Sequence, residues 1–261
     1  EYDISPVTDD RPFFFDFNTP TNLIGSGLFT DLRRIALSGT GTLVAVLVQA
    51  LLLAFLLLVL PVASRRRKLK GRGWWFLAFF LATGTGFMFI EVPLLQRLTL
   101  VVGHPTVAVA LVLGLLLISS GISSLFSERI TKKSSKRLLA VLTGLCLLSL
   151  LMAFAGPSVG LVLLESTRSI QLIGTGLLVI PVGALMGLAT PHGLRMASDL
   201  DEELPPIFWA ATSFASVLGA VLSVMVSMSI GFGGAMAIGG VCYFIAALAM
   251  TRACPTSTSQ R

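Results

Sequence analysis

Long apolar runs separated by short polar turns dominate the chain. Seven of these runs reach the roughly 20 residues that a helix needs to cross the hydrocarbon core of a bilayer. They are 39–63, 74–98, 105–126, 138–156, 169–190, 207–230 and 232–250. Ahead of them, residues 22–37 place apolar side chains at helical spacing against charged ones, which is typical of a helix lying in the membrane interface. We therefore predict an all-α integral membrane protein, a bundle of about seven transmembrane helices preceded by an interfacial amphipathic helix.

The composition agrees with this pattern. Of the 261 residues, 54% are hydrophobic and only 12% are charged, whereas a soluble domain carries about 25% charged residues. A net charge of +6 would suggest a nucleic-acid partner in a soluble protein. Here the basic residues lie in turns between apolar runs, so we predict a lipid bilayer as the surroundings and no nucleic-acid partner. The three cysteines do not form the pattern of a disulfide framework.

Most of the 19 lysines and arginines fall on one side of the predicted bundle. The turns at 64–73 and 127–137 are the richest in them, and both would share a face with the C-terminus. Because loops rich in Lys and Arg stay in the cytoplasm, we predict a plasma or inner membrane protein with its N-terminus outside and its C-terminus cytoplasmic. The corresponding domains are an extracytoplasmic N-terminal segment, a transmembrane domain and a cytoplasmic tail, at 1–35, 36–251 and 252–261.

The stretch from Gly84 to Thr106 concentrates polar groups within and beside the predicted spans. Glu91 is the only carboxylate deep in an apolar run, and Pro93 follows it closely. An ionisable side chain facing lipid is costly, so Glu91 should face protein or a water-filled cavity. Pro93 should kink or break the helix. The candidate intramembrane polar site comprises four residues: Glu91, Gln96, Arg97 and His104.

Two interpretations of Glu91 stay open. It can be a proton or cation site with Arg97 or His104 as its partner, or a structural carboxylate that bonds a neighbouring helix. A proton relay or cation path usually needs several such groups, and no second carboxylate lies in any span, which favours the structural role. Arg97 is expected to extend toward the outer interface. The residues after Pro93 are expected to form a separate interfacial or re-entrant piece.

The two histidines, His104 and His192, should lie on opposite faces, so a histidine-based metal site is not expected. His192 and Arg195 belong to a candidate cytoplasmic loop after the fifth run, followed by an acidic segment at 199–203. That segment can attract a polyamine or another cation, although a solvated loop is the simpler explanation. A short surface helix is expected at 160–164.

Small residues recur every four positions in the sixth run, and a second small-residue pair occurs in the fifth. Small side chains let helix backbones approach closely in membranes, so we predict a tightly packed bundle. The residues are Ala211, Ala215, Gly219, Ser223 and Ser227, with Gly183 and Gly187.

No nucleotide-binding glycine loop, Walker sequence or hydrolase signature occurs in the chain. The turns between the apolar runs are also too short to form a Rossmann-type domain. We therefore predict no catalytic residue, no cofactor and no metal in this chain.

Several short motifs nevertheless resemble those of the multi-spanning spermidine-synthase-like membrane proteins. They are TDDRPFF at 8–14, GFMFIE at 86–91, QR at 96–97, GHPT at 103–106, GLR at 193–195 and the run at 209–219. In that family the TDDRPFF-like segment is similar to the exit from an S-adenosylmethionine-type Rossmann domain. The resemblance implies that this chain is the C-terminal membrane part of such an architecture, or a stand-alone version of it. The aminopropyl-transfer residues would belong to a domain that this sequence does not contain.

On this basis we expect a non-catalytic anchoring or scaffolding domain. It would dock a protein partner or a missing N-terminal domain on the outer face, through the candidate docking residues Asp9, Asp10, Arg11, Phe13 and Phe14. Two alternatives remain. One is a transporter or channel for polyamines or other cations that uses Glu91, and the other is the membrane half of a split aminopropyltransferase-like enzyme.

Overall fold

The computed structural model describes residues 10, 39–54, 71–131 and 135–254, and all regular structure in this part of the chain is helical. Its helices are α1 (Gly39–Ala54), α2 (Arg72–Val102), α3 (Pro105–Thr131), α4 (Ser135–Leu164), α5 (Arg168–Ser198) and α6 (Pro205–Ala253). Five of these, α2 to α6, are long and apolar enough to cross a membrane. The expectation of an all-helical chain with membrane-compatible helices is thus confirmed for the described residues.

The outer surface of the bundle is apolar. Large side chains such as Leu117, Leu125 and Phe154 point away from the protein with 70%, 82% and 80% of their surface exposed. A soluble monomer rarely exposes a contiguous apolar surface of this kind, whereas in a bilayer these side chains would contact lipid tails. The surface is therefore consistent with an integral membrane protein.

The sixth helix, α6, is broken at Gly231. This residue has φ 81° and ψ 172°, a conformation that only glycine adopts readily. We call residues 205–230 the first arm of α6 and residues 232–253 the second arm. A continuous helix of 49 residues would be about 73 Å long at 1.5 Å per residue, more than twice the thickness of a hydrocarbon core. The break at Gly231 is therefore the feature that lets this length fit the bundle.

The first arm runs parallel to α2. A Cβ atom placed on Gly84 would lie 3.1 Å from the Cβ of Ala215, and one placed on Gly219 would lie 3.2 Å from the Cβ of Met88. Contacts on α2 and on the first arm therefore advance in the same direction along the chain. The predicted stripe of small residues is confirmed as the buried face of this arm.

The second arm runs antiparallel to α2. A Cβ atom on Gly86 would lie 3.2 Å from the ring of Tyr243, and one on Gly239 would lie 3.3 Å from the Cβ of Phe89. As the position on α2 advances from 86 to 89, the position on the second arm falls from 243 to 239. The chain therefore reverses direction at Gly231, and both arms pack against α2.

The remaining helices pack around this pair. The Ser149 hydroxyl of α4 donates a hydrogen bond to the backbone oxygen of Met236 in the second arm, at 2.6 Å. On the other side, α5 lies along α3, where Gly183 leaves room for the backbone at Leu116. Toward the C-terminal ends of α3 and α5, the Arg195 guanidinium donates a hydrogen bond to the Ser127 hydroxyl at 2.9 Å. Small residues and side-chain hydrogen bonds thus join these helices, alongside a core of large apolar side chains.

The predicted count of seven helices is not confirmed, because the structure has six in its described part. The runs predicted at 207–230 and 232–250 are the two arms of one broken helix. The first predicted run, 39–63, is described only as far as residue 54. The predicted interfacial helix at 22–37 lies outside the described residues.

Three predicted helix ends are wrong. Helix α2 continues past Pro93 to Val102. Helix α4 continues to Leu164, so no separate helix exists at 160–164, and α5 continues through Pro191 to Ser198. A proline removes one helical hydrogen bond, but neighbouring helices in a bundle can hold the chain in place and satisfy the freed carbonyl.

The close approach of α2 and the first arm should not tolerate even one added methyl group. We expect Gly84→Ala to destabilise the protein by about 1–3 kcal/mol, because the new Cβ would collide with the backbone oxygen of Thr212. The matched control is Gly114→Ala in α3, where a Cβ would meet nothing within 4 Å. Thermal unfolding in detergent should separate the two variants, and equal midpoints would contradict the tight α2–α6 contact.

Candidate functional site

The best-formed polar site lies where the second arm of α6 begins. The backbone oxygen of Asp10 accepts a hydrogen bond from the N–H of Phe232 at 2.9 Å. Its carboxylate accepts from the N–H of Gly233, at 3.1 and 3.2 Å to the two oxygens. The first N–H groups of a helix have no partner within the helix, and a negative charge there is favoured by the helix dipole. Asp10 thus caps a helix from which it is more than 200 residues distant.

Arg97 of α2 supplies the positive partner of this carboxylate. Its guanidinium forms an ion pair with Asp10 and donates a second hydrogen bond to the backbone oxygen of Met152 in α4, at 3.0 Å. The Arg97 side chain is 10% exposed and that of Asp10 is 30% exposed. We call Asp10, Arg97 and the two N–H groups of Phe232 and Gly233 the Asp10 site.

Arg97 depends on Asp10 for neutralisation. The guanidinium borders a cavity of about 290 Å³ whose other lining side chains are apolar, among them Leu98, Leu148 and Met236. A Cβ on Gly156 would collide with the guanidinium, so glycine at this position makes the room that Arg97 occupies. A buried cation left without its counter-charge is strongly destabilising. Asp10 is the acidic group that removes this cost among the described residues.

The geometry joins the segment at Asp10 to three helical elements at once. One carboxylate contacts the second arm of α6 through backbone groups and α2 through Arg97, which in turn contacts α4. Arginine is suited to this role because its planar guanidinium keeps its charge and can bond two partners in fixed directions. The arrangement has no nucleophile paired with a base. Its role is to hold Asp10 against the helices.

The structure brings together two residues that the sequence assigned to different sites. Asp10 was predicted as a docking residue and Arg97 as a partner of Glu91 or a side chain extending into the interface. Both predictions for Arg97 are wrong, because its side chain is buried and paired with Asp10. The free N–H groups at the break in α6 favour a negative charge, which the Asp10 carboxylate supplies. The Arg97 guanidinium balances that charge.

The other members of the predicted intramembrane site do not join the Asp10 site. His104 is exposed at the start of α3, and Glu91 is half-buried on α2. One carboxylate oxygen of Glu91 and the side-chain oxygen of Gln96 are buried without a hydrogen-bond partner in the described part of the protein. Neither is the partner of Arg97.

The predicted cytoplasmic loop residues lie inside α5. His192 is fully buried, and Arg195 reaches Ser127 of α3. Both belong to the helix because α5 ends at Ser198, eight residues beyond the end of the predicted run at 190. Of the other docking candidates, Asp9, Arg11, Phe13 and Phe14 lie outside the described residues.

Sequence reasoning missed the role of Gly231 and the pairing of Asp10 with Arg97. One signal was available for the first: the sixth and seventh predicted runs are separated by a single residue, so only a glycine could turn the chain there. For the second, Arg97 is a cation at the end of an apolar run, and its position implies an acidic partner. The sequence did not show which acidic residue this is.

No group of three or more His, Cys, Asp or Glu side chains that could hold a metal ion occurs among the described residues. Comparisons with known proteins add no further guide: no family model, no curated protein and no solved structure matches the chain. The resemblance to the spermidine-synthase-like family stays a prediction.

The two ends of the ion pair should respond unequally to mutation. Asp10→Ala leaves the Arg97 guanidinium buried without its counter-charge, so we expect a loss of about 2–4 kcal/mol of stability. Arg97→Met should cost less, because its surroundings are apolar and Asp10 keeps the backbone N–H groups and partial contact with water. Unfolding in detergent measures both.

The double variant should be less stable than Arg97→Met alone only by the lost helix cap, about 1 kcal/mol, which corresponds to a coupling energy of about 1–3 kcal/mol. Glu165→Gln, an exposed change in the α4–α5 turn, serves as the control and should have almost no effect. Strictly additive losses from Asp10→Ala and Arg97→Met would show that the two residues are energetically independent.

Proposed function

We propose that this chain is a membrane-embedded anchoring domain that holds a polar N-terminal segment at one end of the helical bundle. There the segment docks an extracytoplasmic domain or partner subunit. The Asp10 site is the single observation that carries this proposal. It fixes one residue of the TDDRPFF motif to three helical elements, which is more than an unattached tail would need.

The sequence adds a reason to look for a partner near Asp10. Phe13 and Phe14 follow Asp10 by only three and four positions, and aromatic residues are enriched at protein interfaces. We therefore propose that the docking surface is at the end of the bundle where the Asp10 site lies.

The family resemblance suggests the class of partner. In the spermidine-synthase-like membrane proteins, a segment like TDDRPFF would follow an S-adenosylmethionine-type domain. A partner with an aminopropyltransferase-like fold is therefore the first to look for, whether it belongs to the same polypeptide or to another.

We further propose that the Asp10 site faces outward. The basic turns at 64–73 and 127–137 lie at the start of α2 and the end of α3, whereas Arg97 and Asp10 lie toward the other end of α2. The positive-inside rule assigns the basic end to the cytoplasm. If the two arms of α6 act as separate spans, as their antiparallel packing supports, and α1 also crosses, the chain spans the membrane seven times.

This topology predicts opposite labelling of two positions. In a variant whose three native cysteines are replaced by alanine, a cysteine at His104 should react with a membrane-impermeant maleimide added to intact cells. A cysteine at Lys68 should react only after the membrane is permeabilised. Labelling of Lys68→Cys in intact cells would reverse the assignment of faces and remove the proposed outer docking site.

The docking proposal predicts a partner that depends on the N-terminal segment. A stoichiometric protein should co-purify with the intact chain from native membranes and be lost when residues 1–20 are deleted. Asp10→Ala should weaken its retention, because the segment is no longer fixed to the bundle. Removal of residues 255–261 is the matched truncation and should leave the complex intact. A chain that purifies alone with and without residues 1–20, while still folded by thermal unfolding, would count against the proposal.

A further inference from the structure

Four polar side chains in α2 and the first arm of α6 each have an oxygen atom that is buried without a hydrogen-bond partner in the described part of the protein. The atoms are Oε2 of Glu91, Oε1 of Gln96 and the hydroxyl oxygens of Ser223 and Ser227. Both serines are completely buried, at 0% exposure. Leaving such a group unpaired costs about 1–3 kcal/mol each, and more where no water can enter. Several in one region call for a ligand that satisfies them together.

The helix register puts each of the two serines level with one polar residue of α2. Gly84 contacts Ala215, and Met88 contacts Gly219. Since α2 and the first arm are parallel and both rise 1.5 Å per residue, Ser223 is level with residues 91–92 of α2. By the same argument, Ser227 is level with residues 95–96. The two serines continue the buried face of the first arm that packs against α2.

The backbone adds one further oxygen at this depth. Pro93 has no N–H, so the carbonyl of Phe89 lacks the hydrogen bond that it would normally accept within the helix. Phe89 lies against the second arm, where a Cβ on Gly239 would be 3.3 Å from the Phe89 carbonyl carbon. A proline two residues after the carboxylate thus frees an oxygen in the same turn of α2, on the side that faces the second arm.

A cavity lies one helical turn from this region. The cavity has a volume of about 200 Å³ and is bordered by the hydroxyl-bearing residues Thr83, Thr190, Thr212, Ser216 and Tyr243, together with Phe87. Residues 84, 87 and 91 follow one another on one face of α2, because they are spaced by three and four positions. Glu91 therefore lies one turn beyond the cavity.

The available donors select the ligand. All are oxygen atoms, which favours a hard cation over a transition metal. Glu91 is the only carboxylate among them, so a single positive charge balances the site, whereas calcium sites usually combine several carboxylates. A polyamine carries several separated ammonium groups and would need more acidic partners than the described part of these helices offers.

We propose that α2 and the first arm of α6 bind a sodium ion between the Glu91 carboxylate and the Ser223 hydroxyl, which lie at the same depth on the two helices. The ion satisfies side chains that otherwise stay unpaired between two closely packed helices. Binding of the ion stabilises the α2–α6 contact. This structural role does not require that the ion be transported.

The test is a comparison of sodium with choline at constant ionic strength, on the purified full-length chain in detergent. Sodium should raise the Tm in a saturable manner, and equilibrium dialysis with ²²Na⁺ should give about one ion per chain, as expected for a site that binds only the folded state. Glu91→Gln should abolish both effects. Ser223→Ala should weaken the apparent affinity about tenfold, the usual effect of one lost polar contact.

Two controls separate this site from general salt effects. Glu165→Gln and Ser213→Ala change an exposed carboxylate and an exposed hydroxyl, and both should keep the sodium response of the wild type. Glu91→Gln should unfold in choline at or above the wild-type Tm, which shows that it folds. An equal Tm in sodium and choline for the wild type, or a sodium response that survives in Glu91→Gln, would overturn the proposal. Either result would leave the Asp10 site and the docking proposal untouched.

Discussion

The packing of α2 between the two arms of α6 is the contact on which the rest of the structure depends. It is a contact of backbones more than of side chains, because glycines at positions 84, 86, 219 and 239 bring the helices together. Among lipid tails there is no hydrophobic gain from burying one apolar helix against another, so dispersion and close fit must supply the attraction. This explains the stripe of alanine, glycine and serine along the buried face of the first arm.

That packing creates the demand that Asp10 meets. Both arms can lie on α2 only if α6 turns back, and the turn at Gly231 exposes the first N–H groups of a new helix. A carboxylate satisfies them, a buried arginine balances the carboxylate, and a glycine in α4 gives the arginine its space. The polar site is thus a consequence of how the apolar helices fit together.

Much of this architecture could be predicted from the sequence, but the site could not. The lengths of the apolar runs identify the helices that can cross a membrane, and the spacing of small residues identifies the buried face of α6. Local signals failed at Pro93, where α2 continues because helices on both sides hold it. They failed again at Arg97, because its partner is 87 positions away in a segment without apolar periodicity. Such pairing is decided by the assembled bundle and leaves no local trace.

The turn at Gly231 also restricts how the chain can change in length. Since one residue joins the two arms, an insertion there would displace the second arm relative to both α2 and α4. An insertion within an arm would rotate the part beyond it by about 100° and shift it by about 1.5 Å per residue. The α4–α5 connection, by contrast, has exposed residues at 165 and 167 that can absorb extra residues at the surface. Homologous chains should therefore vary in length at that connection and keep a fixed spacing between Gly219 and Gly239.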